Sequence, residues 1–532
     1  MTNAVLRGKP DAGNLHVRLD EGEVASEKPR RGSLLSKHHA VEAFAALMGV
    51  MAGIALAGEY VPVVRRAETV DAAAYGFDPA AKPEANAAAL QAAVAGGRRT
   101  VTVSKPGKYY LGSQVLLDSD TVLDCAKGVV FEKARRFPCL LVNRGAFTGV
   151  CNSNIVVRGL EIHAAPNRFN VRADEASGCL GLRTCLGFVH ARDIAVERFR
   201  FFDRTEDEYC LAYVIQFSDF ANVRVEDFEI RAKKDGIHLN KGRGFVIRNG
   251  VTTTWDDAVA INAGEWPVAV SEQMGSIEDG LVENVRDEPW ADGPWKFEKL
   301  RANFSRVITG CWQEWRKGME VVRGDIFKIG ANVYSVVFPS GFTETRVSNI
   351  PPAHERGVWT SPEGIPYLCI QHDGATRADV RNVTFRNITL AYDRSVFCNW
   401  EIGAGKARLV HPDIPPQDYP ETAITLENVV GEQDAPLVTG TASFALTMRR
   451  CRARNLLVDV KEHPNRPTHR RIVLEDCPFA AKDAGKADFR IDGASAEIVV
   501  KGAPERQPKA VGTAKASVVA DRTDVSATPP AR

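Results

Sequence analysis

From about residue 120 to residue 500 the chain repeats one loose pattern: β-branched and aliphatic residues alternate with polar ones, a polar break follows, and another apolar run begins. Examples are Asn154-Ile155-Val156-Val157-Arg158-Gly159-Leu160, Asp193-Ile194-Ala195-Val196 and Asn222-Val223-Arg224-Val225-Glu226-Asp227-Phe228. Later copies are Phe245-Val246-Ile247-Arg248-Asn249, Gly280-Leu281-Val282-Glu283-Asn284-Val285 and Val380-Arg381-Asn382-Val383-Thr384-Phe385-Arg386-Asn387-Ile388. Alternation with period two predicts strands that bury one face. A spacing of roughly 22 residues is that of a solenoid, in which each repeat buries its face on the next. The spacing lengthens where loops intrude, at 164–190 and 286–300. The Asn that recurs beside β-branched residues suits stacked turns, where side-chain amides satisfy backbone groups coil after coil. A β-sandwich would also give short strands, but it would join them through tighter hairpin turns. The expected class is all-β, a parallel solenoid over residues 101–502.

The flanks read differently. Residues 83–95 are Ala-rich with apolar spacing and a Gly96-Gly97 stop, which predicts a short helix. Short alternating runs broken by Pro106-Gly107 and 118–120 follow. Residues 58–100 are therefore expected to cap the solenoid, whose first coil cannot leave a raw edge. Residues 1–40 are polar, an apolar run spans 43–58, and Ala55-Leu56-Ala57 fits a signal-peptidase site, so 1–57 reads as a polar leader and signal peptide. Sixteen apolar residues are short for a spanning helix. The expected location is secreted or periplasmic, without stable membrane insertion. Beyond 502 the chain is mostly Ala, Pro, Lys, Thr and Ser, which predicts a disordered tail over 503–532.

Charge and cysteine content narrow the partners. A net charge of +1 gives no field directed at nucleic acid or membrane. Eleven cysteines stand singly, with no CxxC and no Cys/His cluster at zinc spacing, so no metal and no cofactor is expected. Cys179 and Cys185 are near enough in sequence to pair, while buried single thiols are the commoner outcome for the set. A monomer is expected.

Candidate chemistry concentrates in residues 233–262, KKDGIHLNKGRGFVIRNGVTTTWDDAVAIN. Asp235 leads the apolar strand 236–239, and Asp256-Asp257 leads the strand 258–261. The 21-residue offset from Asp235 to Asp256 is about one coil, so these strands stack about 4.8 Å apart and the acids converge on one face. Such a set can divide acid and base roles, because crowding raises at least one pKa. An inverting glycosidase needs its two carboxyls roughly 6.5–9.5 Å apart. Strict alternation would put Asp257 on the same face as Val259 and Ile261, facing inward, so the reading requires a bend just before the strand. Taken singly, each acid is ordinary turn chemistry. His238 reads as ligand-facing or as a plain strand residue. Lys233, Lys234, Lys241 and Arg243 suit an acidic glycan or a solvated turn equally. Trp255, Trp266, Trp290, Trp295, Trp312 and Trp315 offer faces for sugars or anchors for loops.

The stretch YGFDPAAKPEANAAALQAAV with PGKYYLGSQVLL resembles the start of pectin-degrading β-helix proteins. KKDGIHLN…TTWDDAVAIN is similar to the Asn-Thr-Asp and Asp-Asp segments of glycoside hydrolase family 28, the polygalacturonases. The pattern DGIH…DDAVAIN followed by GEWP looks like a divergent bacterial, hydrolase-like branch of that superfamily. The resemblance implies a single-stranded right-handed parallel β-helix that hydrolyses glycosidic bonds with inversion. It would make Asp256 the general acid, with Asp235 and Asp257 holding and deprotonating water. The residues themselves make Lys234, His238 and Trp266 expected substrate-binding residues, and the resemblance adds Arg316 and Lys317 to that set. The family's Asn-Thr is Lys233-Lys234 here, its Gly-His-Gly falls near Gln273-Met274-Gly275 without the His, and Arg316-Lys317 is the nearest counterpart of its Arg-x-Lys.

Three functions follow. The first is an exported glycoside hydrolase acting on a polysaccharide or oligosaccharide, expected to be acidic, uronate-containing or sulfated. The second is a polysaccharide lyase on the same fold, with a Lys or Arg base and acids that hold calcium. The third is a non-catalytic, glycan-binding or tailspike-like solenoid.

Overall fold

The computed structural model describes residues 68–164, 182, 184–204, 213–264, 274–291, 293, 303–339, 342–355, 357–402, 419–463, 466–478, 487–502 and 508–521. The expected leader and signal peptide lie outside these residues, and no helix among the described ones is long and apolar enough to cross a membrane.

The alternating runs become parallel strands that stack coil on coil, as a parallel β-helix. One wall is built from Tyr213–Ala232, Gly242–Thr254, Ile277–Asp287 and Val380–Leu390, each parallel to the next. A second wall runs from Tyr213–Ala232 through Ile237–Leu239, Val259–Asn262, Asn303–Cys311, Ser395–Ile402 and Val438–Gly440. Ile237 pairs with Val259, 22 positions on, so the central coil length is the one the hydrophobic pattern implies. Inward positions form one continuous core: Val223, Val225, Phe245, Ile247, Val282, Val383 and Phe385 are all buried in it. The predicted helix forms over Pro83–Val94, opened by Pro at its first turn and followed by Gly96 and Gly97, both at positive φ. It packs Leu90, Ala93 and Val94 into the core at the first coils.

The asparagines do what the turn argument requires. Asn249, Asn284, Asn387 and Asn428 all take left-handed φ values between 52° and 59°. Each donates its side-chain amide to the residue one coil below: Asn284 to Asn249 (3.1 Å), Asn387 to Asn284 (2.8 Å) and Asn428 to Asn387 (2.8 Å). Asn tolerates this conformation better than other residues with a Cβ because its short amide bonds locally. Asn284→Ala should therefore destabilise the fold by roughly 1–3 kcal/mol, from two lost hydrogen bonds and a strained φ. Asn284→Gly loses the bonds but not the backbone fit, so it should cost less. Equal losses for both variants in denaturant titrations would show that the ladder, not the φ, sets the cost.

Two expectations need correction. The solenoid does not end near 502: Ala510–Val511 and Lys515–Asp521 add strands, pairing with Phe489–Ile491 and Ser495–Lys501. The stretch looked too polar to fold because a terminal coil buries only one side; Val511, Val518 and Val519 stay more than 40% exposed. The coils are also not continuous. Between Asn303–Cys311 and Val380–Leu390 the chain builds a separate five-stranded sheet from Gln313–Glu314, Ile326–Ile329, Asn332–Val336, Val358–Thr360 and Pro366–Gln371. Phe327, Tyr334, Val336, Phe338 and Tyr367 form its own core. Its strands carry the same β-branched and aromatic residues as the coils, so composition does not separate them. Cysteines behave as single thiols: all nine described are free, and all but Cys151 are buried. Cys179 lies outside the described residues.

Candidate active site

Asp235 and Asp257 occupy the same corner in successive coils. The backbone N–H of Gly236 donates to the carbonyl of Asp257 at 2.9 Å, and that of Ala258 to Phe304 of the coil beyond at 2.7 Å. A Cβ at Gly236 would lie 2.7 Å from the Ala258 carbonyl oxygen, so only glycine lets the two corners approach this closely. Residues 255–258 bend before the strand Val259–Asn262 begins. This is the bend the alternation argument required, and it turns Asp257 away from the core face of Val259 and Ile261.

The acids converge: Asp235, Asp256 and Asp257 each place a carboxylate oxygen within 4.8 Å of the others. That is closer than the inverting spacing expected, and two cations stand among them. Lys234 stacks one coil from Asp256, ion-paired to it and 3.3 Å from Asp235 Oδ1. Arg306 donates through Nε to Asp257 Oδ2 (2.8 Å) and through Nη2 to Asp256 Oδ1 (3.1 Å) and to Asp257. Asn303 donates its amide to Asp257 Oδ1. His238 Nδ1 lies 2.8 Å from Asp235 Oδ2, and its ring stacks on Tyr213 with centroids 4.0 Å apart. Asp235, Asp256, Asp257 and His238 are all 0–1% exposed. A metal ion would have to displace Lys234 from Asp256 and Arg306 from Asp256 and Asp257.

Three carboxyls face two fixed cations, which leaves one surplus negative charge that a proton can neutralise. Burial pushes Asp257 up to about 7, with Asp256 and Asp235 adding to the rise and Arg306 opposing it. Burial acts on Asp235 in the same sense, but Lys234 and the His238 hydrogen bond outweigh it and hold that carboxyl far below its usual range. The linkage follows in opposite directions. Stability from the proton on Asp257 is complete below the unfolded carboxylate range and is lost as pH rises through about 7. Stability from ionised Asp235 is present above that range and is lost in acid. In carbon-13 titrations of labelled aspartate, one buried carboxyl should titrate near 7 and disappear in Asp257→Asn. If every carboxyl has titrated below 5, the split does not exist.

A further layer fixes the acidic turn from below. Arg394 is 1% exposed. It donates through Nη1 to the backbone carbonyls of Thr254 (3.1 Å) and Asp256 (3.2 Å), and through Nε to Asp287 Oδ2 (2.7 Å). Burial raises the Asp287 pKa while Arg394 opposes that rise.

The structure thus gathers Asp235, Asp256, Asp257, Lys234 and His238, but Lys234 binds protein carboxylates rather than facing a groove. Arg316 and Lys317 stand exposed beside the inserted sheet, and the basic partner of the acids is Arg306 instead. Trp266 lies outside the described residues, as do Trp295 and Gln273. The coil after Val259–Asn262 is Asn303–Cys311, not the neighbourhood of Gln273-Met274-Gly275, because a long interruption separates them. Asn303 and Arg306 were therefore invisible to a fixed 22-residue spacing. Arg394 lies 138 positions from Asp256 and carries no local signal. Trp312 is buried and bonded to the Ala375 carbonyl, and Trp315 is bonded to Ser348, so both anchor the fold.

No family model matches the chain, and no curated protein matches it. Among solved structures, a family 28 exopolygalacturonase from Yersinia enterocolitica is similar over 85% of this chain and 78% of its own, at 12% identity and a TM-score of 0.41. An endo-xylogalacturonan hydrolase from Aspergillus tubingensis matches over 83% and 98%, at 11% identity and TM-score 0.36. A tailspike mutant of E. coli bacteriophage HK620, in complex with a pentasaccharide, matches over 85% and 80%, at 11% identity and TM-score 0.40. These likenesses concern the coiled course of the backbone alone.

Proposed function

We propose that this chain hydrolyses a glycosidic bond, with the carboxylate cluster as its acid–base centre. The observation that carries the reading is the convergence of three buried carboxyls on two cations, an arrangement that raises Asp257 to about 7 and holds Asp235 ionised. Neighbouring groups driven apart in this way can serve as acid and base at one pH. Asp257 gives its proton to the leaving glycosidic oxygen as the bond to the anomeric carbon breaks. Water forms the new bond to that carbon and yields its proton to Asp235. This exchanges the roles drawn from the resemblance, since Asp256 lies between Lys234 and Arg306 and orders both cations. The choice of a glycosidic bond rests on the likeness of residues 233–262 to the polygalacturonase segments. This single displacement by water inverts the anomeric centre, and because the nearest carboxyl oxygens stand closer than an intervening water requires, it needs the acids to separate as substrate enters.

An acidic substrate loses its main support. Lys234 is paired with Asp235 and Asp256, and Lys241 with Asp373 at 2.9 Å. The substrate proposed is therefore a glycan of unspecified charge. Activity should be highest below about 7 and fall above it as Asp257 loses the proton it must donate. A screen of the full chain against plant and algal polysaccharides across pH tests both points; an activity that keeps rising through pH 8 would contradict the assignment of Asp257.

One observation favours a second reading, a non-catalytic solenoid: every carboxyl of the cluster is 0–1% exposed and already partnered. Under the hydrolase reading, substrate must open the cover over these acids. Under the second, the cluster is a buried charge network, and its substitution changes stability but no turnover.

A further inference from the structure

The outer face of the second wall carries one column of residues in register. Gln216, His238, Ala260, Arg306 and Cys398 follow one another coil by coil, and Thr439, Asp459 and Arg490 continue the line. The carboxylate cluster sits beside the His238–Ala260–Arg306 part of this column, where the small Ala260 separates the two larger side chains. Trp400 lies two positions beyond Cys398 on the same strand and so shares its outward side. With strands about 4.8 Å apart and a rise of about 3.3 Å per residue, its backbone stands about 8 Å from that of Arg306.

Trp400 is unlike the other described tryptophans. It is 37% exposed, and it is the only tryptophan among the exposed large apolar residues described. Its indole N–H donates to Cys398 Sγ, which fixes the ring against the strand. A large aromatic surface held in one orientation in water loses little freedom when a flat apolar partner covers it. Polar groups lie further along the column, with Asp459 and Arg490 paired at 3.0 Å, and these suit hydroxyl groups.

We propose that Trp400 is a stacking subsite for a sugar ring beyond the two that flank the bond held over the carboxylates. The proposal rests on the hydrolase reading for the position of those two rings. It makes the wall from Arg306 to Trp400 the track along which the chain lies, and it makes the protein prefer oligosaccharides over disaccharides.

The test measures binding by full-length protein carrying Asp257→Asn, so that no probe is cleaved. The probes are the disaccharide and hexasaccharide of galacturonic acid and of β-1,4-glucose, one series anionic and one neutral. Trp400→Ala should lower affinity for the hexasaccharide that binds by about tenfold and leave the disaccharide within about twofold. Trp400→Phe keeps a ring and should recover most of the loss, which separates stacking from a folding defect. Indole fluorescence should respond to the hexasaccharide and lose that response in Trp400→Phe. Equal hexasaccharide affinity with and without Trp400 overturns the proposal, as does failure of both hexasaccharides to bind. A length-dependent loss in a protein whose Asp257 form cleaves neither series keeps the subsite and removes the hydrolase reading instead.

Discussion

Asp257→Asn should leave the β-helix folded and reduce turnover by about 10²–10⁴-fold, the usual worth of a positioned general acid. The amide keeps the shape of the carboxyl and can still accept from Arg306, which donates to Asp257 through both Nε and Nη2. It cannot supply the proton that the leaving oxygen needs. Asp235→Asn should be of similar severity, because it removes the group that His238 and Lys234 hold ionised. The double variant should lose far less than the product of the two, since acid and base act on one transition state. Asp219 offers a control. It pairs with His190 at 2.6 Å, outside the cluster, and Asp219→Asn should leave turnover nearly unchanged. A full-length Asp257→Asn protein that retains near-normal turnover would remove the acid–base assignment altogether.

The second large effect is on folding. Arg394→Met should destabilise the protein by about 3–5 kcal/mol, because it leaves Asp287 buried without its cation. It also frees the carbonyls of Thr254 and Asp256, so the turn that presents two of the three acids loses its anchor. Replacing both partners, as Arg394→Met with Asp287→Leu, removes the uncompensated charge and should recover part of the loss. Denaturant titration of the two single variants and the double measures the coupling. Losses that simply add would show that the pair is not a unit.

What the sequence made legible follows from how far each structural cause reaches along the chain. Alternation, the 22-residue coil and the turn asparagines are local, and they predicted the stacking of Ile237 on Val259 and the ladder from Asn249 to Asn428. The bend at 255–258 was required by parity alone and is present. The partners of the acids were not legible. Arg306 reaches Asp257 across 49 positions, because the coil between them is interrupted, and Arg394 reaches Asp256 across 138. The inserted sheet between 313 and 371 was hidden because its mostly antiparallel strands use the same residue types as a coil. Lys234 was read as a substrate ligand since its neighbour in the next coil, Asp256, becomes evident only once the register is known.

The central claim is tested most directly by the products. The full chain and its Asp257→Asn variant would be incubated at pH 6 with the polysaccharide panel, reading new reducing ends and ultraviolet-absorbing unsaturated ends side by side. The account predicts new reducing ends without unsaturated sugar from the full chain, and almost none from Asp257→Asn. Unsaturated ends would assign a lyase. Bound glycan with no new ends from either protein would make the carboxylate cluster a buried charge network and not an acid–base centre.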